Sequence, residues 1–338
     1  MQLILAGDIG GTKTLLSLVQ KSDHHQGFER LYDQRFASNG YATFEELLVE
    51  FMTLARSNLQ NLPPLTSACF GIAGPVSDRS SQLTNLGWNI ESDRLAVALN
   101  ISESHKVNLI NDFVAVGYGI LGLQPDDLCT LQVGKAKSHA PMAVLGAGTG
   151  LGEAYLSWGG DRYEVYATEG GHTDFAPRNE LEIELLQYLL KRHDRVSVER
   201  VVSGLGIIAI YQFLCDRQGN EGLLDVKSRL LGGAAIADAA LNKSDPLAMQ
   251  TMQVFVSAYA AEAGNLALKL IPNGGLYIAG GIAPKILPLL QKIEFLEILK
   301  AKGRVGTVLT DIPIHVVLNP DVGLIGAIVY AKSFCTPQ

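Results

Sequence analysis

Short unbroken apolar runs alternate along the chain with longer stretches of helical spacing, the pattern of a mixed α/β protein. Residues 3–6 read as a short buried strand, Gly10 and Gly11 as a tight turn and 14–19 as a returning strand, so the chain opens with a β-hairpin. Thr43 and Glu46 form a capping-box pair. Phe44, Leu47, Leu48, Phe51 and Leu54 follow at helical spacing and predict a helix over 43–59. Strand-like runs return at 68–72 and 107–110, with a helix over 93–99 between them. A second strand, glycine turn and strand spans 142–155. Helices are predicted over 180–191, 206–214, 230–241 and 246–270, the last opened by Asp245 and Pro246. Strands at 276–279 and 314–318 and a helix over 322–332 complete the pattern.

The 338 residues exceed what one core usually holds, so two lobes are expected, each carrying one copy of the hairpin with its glycine turn. No low-complexity linker and no short tandem repeat marks the division. At 47% hydrophobic and 18% charged the composition is that of an ordinary globular protein. A net charge of −7 without a Lys/Arg block argues against a nucleic-acid partner and favours small molecules. Cys69, Cys129, Cys215 and Cys335 are scattered without metal-ligand spacing, as expected of reduced thiols in a cytoplasm. The first residues lack the features of a signal peptide. The apolar stretch 254–270 is broken by Glu262, Asn265 and Lys269, which suits a buried helix better than a membrane span. The expectation is a soluble cytoplasmic protein with no membrane attachment.

The candidate chemistry lies in the turns and strand ends. In the first turn, Gly10 and Gly11 let backbone N–H groups approach an anion, Thr12 and Lys13 add a hydroxyl and a cation, and Asp8 stands where Mg²⁺ would accompany a nucleotide. A plain hairpin turn is the alternative. The second turn sets Gly148 and Gly150 around Thr149 between two strands, unlike the strand-to-helix setting of a dinucleotide fingerprint or a Walker loop. Asn111 and Asp112 end an apolar strand, where a carboxylate desolvated by cleft walls can take a hydroxyl proton and the neighbouring amide can orient the same substrate. A turn or a helix cap is the competing role for this pair.

Glu169 and His172 bracket two glycines, an arrangement that lets both side chains converge on a polyhydroxylated ligand; a surface loop is the alternative. Glu199 is a candidate second carboxylate for a sugar, or else a helix-face charge paired with Arg195 or Arg200. Gly280 and Gly281 follow an apolar strand and would bring backbone close to a nucleoside, with a strand-end turn or helix C-cap as the other reading. The remaining histidines, His24, His25, His105, His139, His193 and His315, have no such company and read as structural or exposed. Two glycine turns with an Asn-Asp pair between them point to a kinase that phosphorylates a hydroxyl.

With these residues in place, the chain resembles the bacterial glucokinase family, within the superfamily of sugar kinases and actin-like ATPases. The matching segments are 7–14, 109–113, 144–153, 169–177, 197–206 and 278–282, in the family order and across nearly the whole chain. The resemblance implies an α/β, two-lobed actin-like ATPase (ribonuclease H-like) fold with an interlobe active-site cleft. Its small α/β domain would comprise 1–122 and 313–338, its large α+β domain 123–312, with the C-terminal helix packed on the first lobe. It implies ATP- and Mg²⁺-dependent phosphorylation of the 6-hydroxyl of D-glucose, and a homodimer. Asp112 then stands as general base, and Asn111, Glu169, His172 and Glu199 hold the sugar. The nucleotide falls to Asp8, Gly10, Gly11, Thr12, Lys13, Gly148, Thr149, Gly280 and Gly281. Lys13 stands where many members carry Asn and is similar there to the related repressor and open-reading-frame kinases, whose cysteine-rich zinc motif this chain lacks. Other hexoses as substrate, or a catalytically silent sugar sensor, are the competing functions.

Overall fold

The opening hairpin is the nucleus of a larger sheet. In the computed structural model, which describes residues 2–21, 28–219 and 232–334, β1 (Leu3–Ile9) pairs antiparallel with β2 (Lys13–Lys21), and β3 (Phe28–Ala37) extends the meander. On the other side of β1, β4 (Leu65–Ile72) and β7 (Val107–Asn111) add in parallel, giving the order β3-β2-β1-β4-β7. A two-stranded ribbon, β5 (Ser80–Leu83) and β6 (Trp88–Glu91), lies in the same unit.

Helix α1 (Phe44–Asn58) begins at Thr43, whose side chain accepts from the Glu46 N–H, while the Glu46 carboxylate accepts from Ala42 N–H at 3.1 Å. It buries Phe44, Leu47, Leu48 and Phe51 against the Leu5 and Phe70 face of the sheet and against Trp88 of β6, together with α2 (Ser92–Ala98). The opposite face, carrying Ile4, Ala6, Val19 and Cys69, is covered by Leu324, Ala327, Ile328 and Ala331 of the C-terminal helix Val322–Lys332. β1 is thus apolar on both sides, the pattern of an unbroken buried run rather than of alternation.

Helix α3 (Asp112–Ile120) starts directly after β7 and crosses the C-terminal helix with backbones in contact. A Cβ on Gly119 would overlap the Val322 carbonyl oxygen, and one on Gly326 that of Ala115. These small residues fix the start of α3 relative to the sheet.

The second unit repeats the scheme. Strands β9 (Met142–Ala147), β10 (Leu151–Trp158) and β11 (Tyr163–Thr168) form an antiparallel meander. β12 (Gly275–Ala279) and β13 (Ile314–Val317) then join β9 in parallel, and β8 (Leu128–Gln132) closes the edge. In each unit the glycine turn therefore joins the first strand of the meander to its second, β1 to β2 and β9 to β10. Helices α4 (Glu180–Leu190), α5 (Gly204–Gln218), α6 (Gly233–Leu241) and α7 (Pro246–Leu270) build the core of this unit, with Phe255 and Tyr259 of α7 buried. Among the described residues no helix is long and apolar enough to cross a membrane.

The two compact units are Met1–Gln124 with Asp321–Gln338, and Pro125–Pro320. A small domain that includes 313–338 puts the strand at 314–318 with the first unit. It lies instead in the second sheet, because Ile314 and Val316 are buried between β12 and β8. Edge strand β3 escaped prediction because its apolar residues are interrupted by Glu29, Arg30, Asp33, Gln34 and Arg35. Of the helix predicted over 230–241, Gly233–Leu241 is helical, and 230–231 lie outside the described residues, as do His24, His25 and Cys335.

Candidate active site

The first glycine turn is closed by the Gly10 N–H donating to Lys13 O at 2.9 Å. It is braced by Ser38, a residue sequence reasoning missed. The Ser38 N–H donates to Thr12 O at 3.0 Å, its hydroxyl to Gly10 O at 2.8 Å, and its oxygen lies 3.0 Å from Thr14 Oγ1. Gly11, Thr12 and Lys13 are exposed on the braced turn, and a Cβ on Gly11 would meet nothing within 4 Å. No neighbouring chain atom therefore requires glycine at this position.

Asp8, near the end of β1, has its carboxyl pushed up to about 6, first by burial and then by the carboxylates of Asp112 and Asp321, with Arg35 opposing. Asp321 is itself paired with Arg35 at 3.0 Å and Arg30 at 3.3 Å. Gly323, in the first turn of the C-terminal helix, admits the Asp8 carboxyl: a Cβ there would lie 3.3 Å from Asp8 Oδ2. Asp321 and Gly323 went unread in the sequence, although an Asp just before a helix is a start signal.

Asn111 is the N-cap of α3, its Oδ1 accepting from Phe113 N–H at 2.9 Å and Val114 N–H at 3.3 Å, while its Nδ2 donates to Gly74 O at 3.2 Å. The helix-cap alternative thus describes this amide. Asp112 is the first helical residue, where the helix dipole favours negative charge, and its Oδ1 accepts from Phe113 N–H at 3.0 Å. The expected strand-end carboxylate is therefore a helix-start carboxylate, half-buried and within the field of Asp8.

In the second unit, His172 stands between two carboxylates, Nε2 at 3.8 Å from Glu169 and Nδ1 at 3.9 Å from Glu199. The Glu169 side chain is 90% exposed and that of Glu199 30%, so the group opens outward from an anchored base. The anchor is the Leu151 N–H, which donates to Glu199 Oε2 at 2.9 Å. Gly150 is glycine because the Glu199 carboxylate occupies the place of a side chain. Glu199 pairs with neither Arg195 nor Arg200. Arg195 instead donates to His172 O at 2.6 Å and to Asp174 at 3.0 Å, fixing the loop from outside.

The second glycine turn shares this neighbourhood. The Gly148 N–H donates to Gly150 O at 2.8 Å, and the Gly204 N–H at the start of α5 donates to Gly148 O at 2.8 Å. Gly280 has φ of +82°, and a Cβ on it would lie 2.5 Å from Ala147 O. Both its backbone angle and its contact require glycine. Gly233, at the start of α6, packs against Gly204 O at 2.7 Å from its own virtual Cβ. Two helix starts and two glycine turns thus meet on one side of this sheet, a setting suited to anionic or nucleoside groups. Gly204 and Gly233 were not singled out in the sequence. Gly281 is open, with nothing within 4 Å of a virtual Cβ. A cavity of about 500 Å³ lined by Met249, Met252, Phe295 and Ile298 among others shares no residue with these groups.

The candidate residues therefore form two sets. Asp8, Gly10, Gly11, Thr12, Lys13, Asn111 and Asp112 belong to the first unit, and Gly148, Thr149, Glu169, His172, Glu199, Gly280 and Gly281 to the second. Among the described residues no group of three or more His, Cys, Asp or Glu side chains could cage a metal ion.

Comparison with known proteins bears on what these sets serve. The family model described as Glucokinase matches residues 5–334. The chain is 51% identical to the glucokinase of Nostoc punctiforme, covering 97% of this chain and 98% of the relative. It is 48% identical to that of Synechocystis sp., covering 97% of each. The crystal structure of glucokinase from an Antarctic psychrotroph superposes with a TM-score of 0.85 at 28% identity, over 98% of this chain and 99% of that one. A glucokinase of the ROK family from Streptomyces griseus, solved with glucose and AMPPNP, shares the fold with a TM-score of 0.64 at 20% identity, covering 98% and 99%.

Proposed function

The chain belongs to the glucokinase family, and we propose that it transfers the γ-phosphoryl group of ATP to the 6-hydroxyl of D-glucose, with Asp112 as general base. The observation that carries this reading is the carboxylate at the first position of α3, pinned there by the Gly119 and Gly326 contacts and electrostatically coupled to Asp8 beside the phosphate-type turn. Asp112 accepts the hydroxyl proton as the oxygen attacks. Asn111, its Oδ1 committed to capping, offers Nδ2 to the sugar. Glu169, His172 and Glu199 take further hydroxyls, carboxylate oxygens accepting and the imidazole donating or accepting according to its tautomer.

The exposed first turn and the N–H-rich turn at 148–150 suit the phosphates of ATP, and Gly280 with Gly281 suits a closely approaching nucleoside. Mg²⁺ fits Asp8: a carboxyl kept protonated first by burial and then by two neighbouring carboxylates is one that a divalent cation relieves. When bound, the ion would neutralise charge on the transferring group. The protein's part is positioning and charge complementarity around a loose transition state. The same reading has the enzyme act in glycolysis, in the cytoplasm, as a homodimer.

The test is a coupled ADP assay of purified protein across glucose, mannose, fructose and N-acetylglucosamine. Turnover greatest with glucose supports the reading. Turnover confined to another sugar reassigns the substrate, and binding of glucose without ADP release makes the chain a sensor.

A further inference from the structure

Glu153 is a buried carboxyl with no part in the chemistry so far described. It lies on β10 opposite Thr168 of β11, and residues 169–172 follow that strand without a break. Its side chain is 1% exposed and occupies the space a side chain on Gly170 would need, Oε2 lying inside the position of a Cβ there. The Leu151 carbonyl fills the same place for Gly171. The two glycines between Glu169 and His172 therefore serve to let the loop lie flush on β10, rather than simply to let its side chains converge. Hydrogen bonds complete the seat: Gly170 N–H to Thr168 Oγ1 at 3.1 Å, and Thr173 Oγ1 to Gly170 O at 2.7 Å.

We propose, resting on the function assigned above, that Glu153 is a positioning residue for the sugar-holding loop, and that its carboxyl must be uncharged for Glu169 and His172 to stand in their sugar-binding places. Beneath it lies the face of α7 with Glu262, 3% exposed, Tyr259 and Lys269. Among the described residues Oε1 of Glu153 and Oε1 of Glu262 have no hydrogen-bond partner. Lys269 approaches Glu262 at 3.8 Å, and Lys302 donates to Ala261 O at 2.9 Å and to Asn265, which in turn donates to Glu262 Oε2 at 2.9 Å. The cations thus serve Glu262, and a charge on Glu153 would sit desolvated against the loop backbone. Burial, and then the Glu262 carboxylate, push the Glu153 carboxyl up to about 7, with Lys269 opposing. Ionisation near neutral pH is therefore expected to unseat Gly170 and weaken sugar binding, while Asp112 and the rate of the bound complex are untouched.

The experiment is glucose KM and kcat from about pH 6 to about pH 8 for the wild type, Glu153→Gln and Glu153→Met, both of which are neutral at every pH. Wild-type KM should rise about tenfold over that range with kcat little changed. Either variant should flatten the rise while matching the wild type at the acid end. A variant profile parallel to the wild type, or a wild-type KM without the rise, overturns the proposal. A wild type that phosphorylates no glucose at any pH overturns the functional reading beneath it, a distinguishable result.

Discussion

Gly326 of the C-terminal helix lies against the carbonyl of Ala115, one turn into α3 from Asp112, so closely that no side chain fits between them. Residues more than two hundred positions apart in sequence thereby set the height of the proposed base above the sheet. Gly326→Ala should cost about 1–3 kcal/mol through backbone displacement. It should lower kcat more than it raises KM, because what moves is the start of α3. Denaturant unfolding and steady-state kinetics on the same preparation check both parts.

Asp8 supplies a pH dependence with a definite sign. Its carboxyl holds its proton up to about 6, so the ion-binding form is lost as pH falls through that value. The dependence of kcat/KM for ATP should show an acid limb with its midpoint near there, and raising Mg²⁺ should move the midpoint lower by favouring the ionised form. A limb insensitive to Mg²⁺ would show that Asp8 does not meet the ion.

In the second unit, Glu199 joins the backbone of the glycine turn to the His172 loop. Glu199→Gln retains an oxygen for the Leu151 N–H but removes a charged acceptor from the sugar. A hydrogen bond to a charged group is worth about 1.5–3 kcal/mol, so glucose KM should rise by roughly 10- to 100-fold. Isothermal titration with glucose checks whether the loss is in binding.

Much of this arrangement could be read from sequence because its elements are local. The helix 246–270 is framed by an Asp-Pro start and a long apolar run, and the two glycine turns sit between apolar strands, so neighbours along the chain define them. What could not be read depends on distant partners. Ser38 braces a turn it follows by 24 residues or more, and Asp321 reaches Asp8 only because the C-terminal helix folds back onto β1. Helix α3 was hidden by its glycines, Gly117 and Gly119, which propensity counts against a helix, although packing on the C-terminal helix requires Gly119. Asn111 showed the same limit in reverse, since the plain capping preference described it correctly.

Glu153 also carries a stability signature. Its native carboxyl retains a proton to about 7 against an ordinary value of 4.5, so the native state holds the extra proton between these limits. Its stabilising contribution is fully present below 4.5 and is lost as pH rises through about 7. Glu153→Gln, which cannot ionise, should lose less stability than the wild type between acid and neutral pH, by about 2 kcal/mol. Paired denaturant titrations at the two pH values check this.

The most direct test of the account is the turnover of Asp112→Ala with glucose and ATP, measured beside its glucose affinity. The account predicts a fall in kcat of about 10²- to 10⁴-fold, with glucose binding by calorimetry near that of the wild type. Wild-type turnover in that variant would contradict it.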